Sequence, residues 1–522
     1  MSDHHRSTRE RWIIEGKLLL ETPAHFGNGD ADALTDMPLI FDEISNEPLL
    51  PGTSIAGALR NYLREFQNNY GGKFPDKEGK NFKLDHEAEV ALLATKLFGG
   101  YRGDEEGEQS PLIIHDALGK SAGFELRDGV KIDAKTRTAE DQKKFDIQLL
   151  SAGTTFDLRF ELLLTKSEDD EKLKQALATA LMGLANGEIT LGARKSRGFG
   201  QCSVKEWKIS VYNLMKPEGL KAWLASETSW AKEYPIPVQT PIDLSSLALK
   251  IGNRSNAHLT AEFNIDGTLL IRSGFGDSDS GPDTVHIHSR HKNYKTPVPV
   301  IPGTSWAGVL RHRTLKIART VSGDEKALDE QGRTRQKTVN GQLVPLLKAD
   351  VFTDGMFGPS EIKKGNKDTK ASRLSIKESE IEKSTSLVVT RVKIDRFTGG
   401  AYEGALFSEQ PVIGHPDVKE KDGTRVRLDL CLHRPSDSEL GLLLLLLKDL
   451  WIGDLPIGGE SGVGRGRLQG VTATLIAKDH IWKFDKTDEE YGVTLTAIKG
   501  EDSPQKYVDE FNKIEKWMVR DE

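Results

Sequence analysis

Two phrases in the sequence have the make-up of anion sites. Leu49 to Glu65 reads LLPGTSIAGALRNYLRE, and Val300 to Lys316 reads VIPGTSWAGVLRHRTLK. In each, a Pro-Gly turn runs into hydroxyl residues and then into apolar residues at helical spacing, Ile55, Leu59, Leu63 and Phe66 in the first. Thr53 or Ser54 stands where an N-cap is expected, and Ser305 heads the second helix. The first-turn amides of such a helix lack intrahelical partners, and its dipole favours negative charge there. Arg60 and Arg311 lie about two turns further on. They are placed to reach a phosphate or to brace the turn. The plainer alternative, an ordinary cap on a core helix, stays open.

Two glycine loops carry cations. LGARKSRGFGQ (Leu191 to Gln201) holds Arg194, Lys195 and Arg197, and IGGESGVGRGR (Ile457 to Arg467) holds Arg465 and Arg467. Glycine lets backbone approach a ligand closely, and cations neutralise phosphate. Neither loop ends in the Gly-Lys-Ser/Thr of a nucleotide-triphosphate loop, and neither opens a helix as a dinucleotide loop does. A polyanion backbone fits better than a nucleotide cofactor. A third cluster, HIHSRH (His286 to His291), has the residue type for acid-base or metal chemistry. No partner carboxylate is identifiable from the sequence, so an RNA-facing or surface loop is the plainer reading. No zinc pattern and no nucleophile elbow occur.

The elements that must position these groups come in two sets. Beyond the doubled phrase and the doubled loop, KLFGGY near Phe98 matches GMFGPS near Phe357. SPLIIHDA (Ser110 to Ala117) resembles SRLSIKES (Ser372 to Ser379), and VKIDAKTRTA (Val130 to Ala139) matches VKIDRFTGGA (Val392 to Ala401). All five pairs keep their order. Their separation grows from 251 residues at Pro51 and Pro302 to 266 at Gly192 and Gly458, as a tandem duplication with small insertions requires. The division is a first domain over 1–214, a linker with a short helix over 215–246, a second domain over 247–480 and a charged helical tail over 481–522. Each copy opens with an alternating strand, continues through the Pro-Gly helix and further strands, then a helix, the glycine loop and a closing strand. Strands and helices that mix without regular alternation give an α+β, ferredoxin-like core with insertions.

Composition bounds the function. The 522 residues exceed one ordinary core, and 37% hydrophobic with 29% charged residues is a globular balance. No apolar run reaches a membrane span; ELGLLLLLLKDLW around Leu440–Leu447 reads as a buried helix. The N-terminus has no apolar signal-peptide core. Two distant cysteines, Cys202 and Cys431, fit a reducing cytoplasm and exclude a disulfide framework. The net charge of −7 argues against a free-standing nucleic-acid binder, yet leaves room for one basic groove on an acidic body.

In this order the motifs resemble the repeat-associated RAMP superfamily, and most closely the backbone subunits of type III CRISPR effector complexes. The fused pair is similar to the double-backbone subunits of type III-D-like systems. The resemblance covers most of both copies. It implies two tandem RAMP domains with a modified RNA-recognition-motif fold, carrying inserted loops and β-hairpin thumbs, near Ala134 to Gln148 and Arg396 to Phe407. It implies that the chain lines up along a CRISPR guide RNA beside other RAMP and large subunits. Ser54, Arg60, Arg194, Lys195, Arg197, Ser305, Arg311, Arg465 and Arg467 would then contact guide phosphates. In the family, an aspartate before the Pro-Gly motif cuts the complementary target RNA. TDMPLIFD matches that pattern and points to Asp36, fifteen residues before Pro51, in a stretch that also holds Asp30, Asp32 and Asp42.

The second copy departs from the pattern. Ile287 stands at the same spacing before Pro302, and the nearest upstream aspartate is Asp283, with Asp277 and Asp279 further off. The second site is thus displaced to Asp283 or lost. Ala56 and Ala307 replace a lysine that family members often carry in the Pro-Gly motif. The resemblance implies an endoribonuclease in which the RNA 2′-hydroxyl attacks the adjacent phosphate. Asp36 would ligate a divalent metal such as Mg²⁺ or orient the hydroxyl, giving a 2′,3′-cyclic phosphate and a 5′-hydroxyl. The alternatives are a non-catalytic guide-RNA scaffold and a metal-independent guide-processing ribonuclease.

Overall fold

The computed structural model describes residues 8–27, 29, 36–67, 93–100, 109–133, 136, 138–165, 169–226, 242–249, 256–273, 281–291, 296–323, 325–327, 334–339, 342–359, 371–415, 423–489, 491–513 and 517. Asp30, Asp32, Ala134, Lys135, Arg137, Asp277, Asp279 and linker residues 227–241 lie outside them.

Each copy builds an antiparallel sheet with the same strand order. In the first, the sheet runs Leu49–Leu50, Ala117–Lys120, Thr155–Leu164, Glu10–Leu20, Cys202–Asn213, with Leu112–Ile114 also on Thr155–Leu164. In the second it runs His288–Ser289, Val298–Ile301, Ser379–Glu382, Arg425–His433, Asn256–Asp266, Arg467–Ala477, with Leu374–Ile376 on Arg425–His433. The period-two alternation of the opening strands explains their place. Trp12, Ile14, Leu18 and Leu20 are buried, as are Leu259, Ala261, Phe263 and Ile265.

Two helices per copy cover the buried side of its sheet. Gly52–Gln67 packs with Asp170–Ala185 in the first, and Gly303–Ser322 with Asp437–Trp451 in the second. Helical spacing buries Ile55, Leu59 and Leu63 beneath the first Pro-Gly helix. Trp306 occupies the position of Ile55 and donates its indole N–H to Ser379 Oγ at 2.9 Å. The leucine-rich helix Asp437–Trp451 is buried as expected and starts with a reciprocal cap between Ser436 and Glu439. Each copy has its own hydrophobic core. This is the α+β duplication read from the sequence.

Three expectations are corrected. Thr53 and Ser54 are not N-caps. The helix starts at Gly52, and its second-copy counterpart is headed by Pro302 without any side-chain cap. Proline fixes the extended-to-helical entry, so the hydroxyls fall inside the first turn. In the first copy a distant carboxylate does the capping: Asp116 Oδ1 accepts from Gly52 N at 2.6 Å. Second, the tail is not simply helical. His480–Lys486 and Val493–Lys499 extend the second sheet by two strands, and only then does Pro504–Phe511 pack on Asp437–Trp451. Third, the linker's end and the first residues assigned to the second domain, Leu247 to Leu249, belong to the first core. Leu244 is buried there, and Leu249 N donates to Thr179 Oγ1 at 2.9 Å.

Two hairpins stand out where thumbs are expected. Phe124–Ile132 pairs with Ala139–Leu150, and Val389–Ile394 with Ala401–Gln410. Their outer parts are exposed; Phe397, in the second turn, is 94% exposed.

Candidate nucleic-acid interface and loop aspartates

In the first copy, the loop aspartate, the Pro-Gly helix and the glycine loop meet around one open groove of 550 Å³. Asp36, Thr53, Ser54, Gly192, Lys195 and His25 are among its walls. The strand register explains the convergence. Met37 bridges to Ile147 on the hairpin's returning strand, which places Asp36 at the hairpin base. There its Oδ2 accepts from Asp146 N at 2.9 Å, and among the described residues Oδ1 carries no hydrogen bond. Asp36 itself is exposed. Burial, with a hydrogen bond and charge from Asp128, lifts Asp146 above the usual carboxylate range, and Asp36 adds to this. His25 is buried, with Nδ1 at 2.9 Å from Gln148 O.

The same register identifies the second aspartate. Thr284 pairs in parallel with Glu409, as Met37 does with Ile147. Glu409 and Ile147 are equivalent, because Val389 pairs with Glu409 as Arg127 pairs with Ile147. Asp283 therefore occupies the place of Asp36. Its Oδ2 accepts from Ser408 N at 2.7 Å and from Ser408 Oγ at 3.1 Å, and Ser408 is the counterpart of Asp146. These bonds hold the Asp283 carboxyl below its ordinary range. The backbone thus puts an aspartate of the second copy at the position equivalent to Asp36.

The cations divide into groups. Lys195 is exposed on the groove. Arg194 stacks over the Phe145 ring, 4.3 Å from its centroid. Arg197 donates to Phe357 O across to the second copy at 3.4 Å. Burial presses the Arg197 guanidinium below its usual pKa, with Arg311 and Arg194 adding repulsion, so three cations crowd where the copies meet. Arg60 donates to Gly100 O at 3.4 Å, and Arg311 to Gly358 O and Asp354, so both brace the phenylalanine-glycine turn. Ser54 is exposed and Ser305 half-buried, each with its amide donating back to the turn proline at 2.9 Å. Arg465 is buried, 3.0 Å from Glu409 and 2.8 Å from Glu460, so its charge is spent inside the protein. Arg467 is exposed at the start of the closing strand.

The histidine cluster is structural in part. His286 is buried; its Nδ1 accepts from Ile271 N at 3.1 Å, and its Nε2 donates to Val300 O at 2.9 Å. Burial pushes its pKa down to about 4, so it stays neutral. His291, for which no carboxylate was identifiable from the sequence, pairs with Glu380 and lies 3.8 Å from Glu378. Only His288 of these three is exposed.

The feature that sequence reasoning missed is the joint between the copies. The first glycine loop seats on the start of the second Pro-Gly helix: a Cβ on Gly303 would lie 2.3 Å from Arg197 O, and one on Gly198 2.6 Å from Glu378 N. Beside this contact Arg127 binds Glu378 through both guanidinium nitrogens, one at 3.1 Å, and both side chains are buried. Burial opposes the Arg127 charge, but Glu378 and Glu125 outweigh it and raise its pKa. Glu125 also accepts from Ser289 Oγ and Arg290 N, each at 3.0 Å. Nothing in Arg127 or Glu378 taken singly marks them, since their separation of 251 residues hides the pairing.

Among the described residues no helix is long and apolar enough to cross a membrane. Comparison with known proteins agrees with the duplication. The RAMP superfamily model matches residues 17–203 and again 266–469. The CRISPR system Cms endoribonuclease Csm3 of Streptococcus thermophilus is 27% identical over 213 residues, covering 38% of this chain and 89% of that protein. One relative-sized unit thus accounts for well under half of the chain, as two copies require. The chain belongs to the RAMP superfamily and carries two of its domains in tandem.

Proposed function

We propose that the chain is a backbone subunit of a type III CRISPR effector complex. It binds guide RNA along its two Pro-Gly helices and glycine loops, beside other RAMP and large subunits in the cytoplasm. It cleaves complementary target RNA next to Asp36 and next to Asp283. The observation that carries this reading is the shared position of the two carboxylates, each fixed by a backbone amide at the base of an exposed hairpin.

The chemistry follows from that placement. RNA supplies its own nucleophile, provided the 2′-hydroxyl is brought in line with the scissile phosphorus. A hairpin carrying exposed apolar residues, such as Phe397 in the second, is suited to part a guide–target duplex and splay the target strand. Asp36 and Asp283 sit at the foot of such wedges and orient or deprotonate the hydroxyl there. Among the described residues no group of three or more His, Cys, Asp or Glu could form a protein cage for a metal. The site fits Mg²⁺ only in the mode where one carboxylate shares the ion with substrate phosphates. Asp36 would hold it in the first copy, and the ion would supply charge neutralisation at the phosphate.

The test uses the assembled complex with an end-labelled target RNA. Asp36→Ala and Asp283→Ala each remove one cut, leave the others and leave target binding intact, and EDTA abolishes all cuts. Persistence of every cut in the double variant would leave the chain a scaffold.

A further inference from the structure

The joint between the two copies shows how a tail of this fold meets a head of the same fold. This inference rests on the backbone reading, because it asks what lies before the first copy and after the second. At the joint, the first copy offers a tail (Glu125, Arg127 and the Arg194–Gly198 loop) and the second copy offers a head (Ser289–His291, Gly303 and Ile376–Glu380). Among the described residues, nothing covers the first copy's own head or the second copy's own tail. Among the described residues, Gly464, the counterpart of Gly198, would place a Cβ within 4 Å of nothing, and residues 461–464 are all exposed.

The strand registers state which residues stand where. In the first copy's head, Asp116 takes the place of Glu378 and Leu118 that of Glu380. Phe41 bridges Pro48 as His288 pairs with Pro299, so Asp42, Glu43 and Ile44 replace Ser289, Arg290 and His291. That head is acidic with apolar points: Asp116 and Glu43 are exposed, as are Leu118 and Ile44, the latter at 97%. In the second copy's tail, Leu387 replaces Glu125, Val389 replaces Arg127 and Val463 replaces Arg197. Glu460 replaces Arg194 and is turned inward, bound to Arg272, Arg391 and Arg465. The tail therefore shows the outside Leu387, Val388 and Val463, all more than half exposed, and no free cation in the place of Arg127.

These two ends do not complement each other. Joining two copies of this chain tail to head would set Val389 against Asp116 and Leu387 against Asp42 and Glu43. Three carboxylates would lose water and gain no cation, which is unfavourable. We infer that the first copy's head is a docking surface for a different protein of this same fold, one that carries arginine or lysine where this chain's first copy carries Arg127. A second copy of the chain is excluded from that place. The continuity of the surface with the internal joint and its acidic character both point to such an occupant.

The chain itself can serve as the probe. The tail variant Leu387→Glu/Val389→Arg gives the second copy the Glu125 and Arg127 chemistry, and mass photometry with sedimentation velocity at micromolar concentration reads the outcome without RNA. Wild type stays one chain per particle. The tail variant associates end to end into particles of two or more chains. Adding Asp116→Asn, which keeps an acceptor for Gly52 N, returns it to one chain, as does high salt. Thermal melts qualify each variant as folded, and Val389→Lys alone repeats the test if the double variant is not. End-to-end association of the wild type, or a folded cationic tail variant that stays a single chain, would overturn the inference. Neither result bears on Asp36, whose failure to cut would leave this surface unaffected.

Discussion

Replacing Arg127 with methionine removes the cation from Glu378, a carboxylate whose side chain has no exposure to water. Breaking a buried pair from one side costs about 3–5 kcal/mol, because the remaining charge is desolvated and unpaired. A loss of at least the lower end, about 3 kcal/mol, is expected. Removing both charges with Arg127→Met/Glu378→Gln leaves Glu125 without its arginine but still hydrogen-bonded to Ser289 Oγ and Arg290 N, and the loss falls to about 1–2 kcal/mol. The loss belongs to the joint, so the two copies unfold less cooperatively. Differential scanning calorimetry of the full chain is the suitable assay, since a single unfolding free energy is not defined for two domains. At about 2–4 °C per kcal/mol for domains of this size, the single variant's earlier transition moves down by about 6–12 °C and separates from the later one. The double variant recovers part of the shift. A single variant that melts as wild type, or a double variant as damaged as the single, would refute the claim that this pair locks the copies together.

Further outcomes are expected. Gly198→Ala and Gly464→Ala place a Cβ at nearly the same positive φ, +88° and +85°, but only the first meets the neighbouring copy. Gly464→Ala should cost about 1–2 kcal/mol in calorimetry of the isolated chain, and Gly198→Ala clearly more. The burial-depressed pKa of His286, about 4, means the unfolded chain binds a proton that the folded chain refuses. Stability is then complete above about pH 6.5 and falls toward pH 4, by up to about 3 kcal/mol, and His286→Gln should flatten this slope in urea titrations. Burial lifts the Cys202 thiol to about 12, so iodoacetamide at pH 8 should label Cys431 and spare Cys202 until the first copy unfolds. Arg465→Phe alone leaves Glu409 only its longer contacts, 3.4 Å to Arg391 and 3.6 Å to Arg272, and should destabilise the second copy by about 2 kcal/mol, whereas Arg465→Phe/Glu409→Ile should recover part of this, read by thermal melts.

The architecture was legible because hydrophobic spacing and punctuation repeat. Alternation in Glu10–Leu20 and helical spacing from Ile55 to Leu63 each describe a face, and a face needs no knowledge of distant residues. Asp36 was reachable through the family's aspartate-before-Pro-Gly pattern, which TDMPLIFD matches. Asp283 was named only beside the alternative of loss, because it stands nineteen residues before Pro302 rather than fifteen, and four added residues of loop leave no mark in one dimension. Pairing of Thr284 with Glu409 restores the equivalence. The capping role of Asp116 was hidden for a related reason: an attractive local candidate, Ser54, masked a partner 64 residues away. Arg465 looked like a phosphate ligand because a glycine loop with arginine advertises exposure, while its fate was decided by Glu409 on another strand.

The two copies hold the hairpin base to the glycine loop by different means. In the first, Ile147 and Phe199 pack together in a small apolar cluster; at the same positions in the second, Glu409 and Arg465 form a buried ion pair. Tandem domains with the same strand order are prone to exchange segments while they fold, each borrowing its neighbour's hairpin. Here a borrowed hairpin would set Glu409 against the Phe199 ring, or leave Arg465 facing Ile147 with Glu460 as its remaining carboxylate. Either mispairing gives up the Glu409–Arg465 contact, so the correct assembly is favoured over the swapped one by about 1–3 kcal/mol, the worth of a charged hydrogen bond. The divergence of one contact thus acts as an address label, sorting each hairpin to its own half of the chain as it leaves the ribosome.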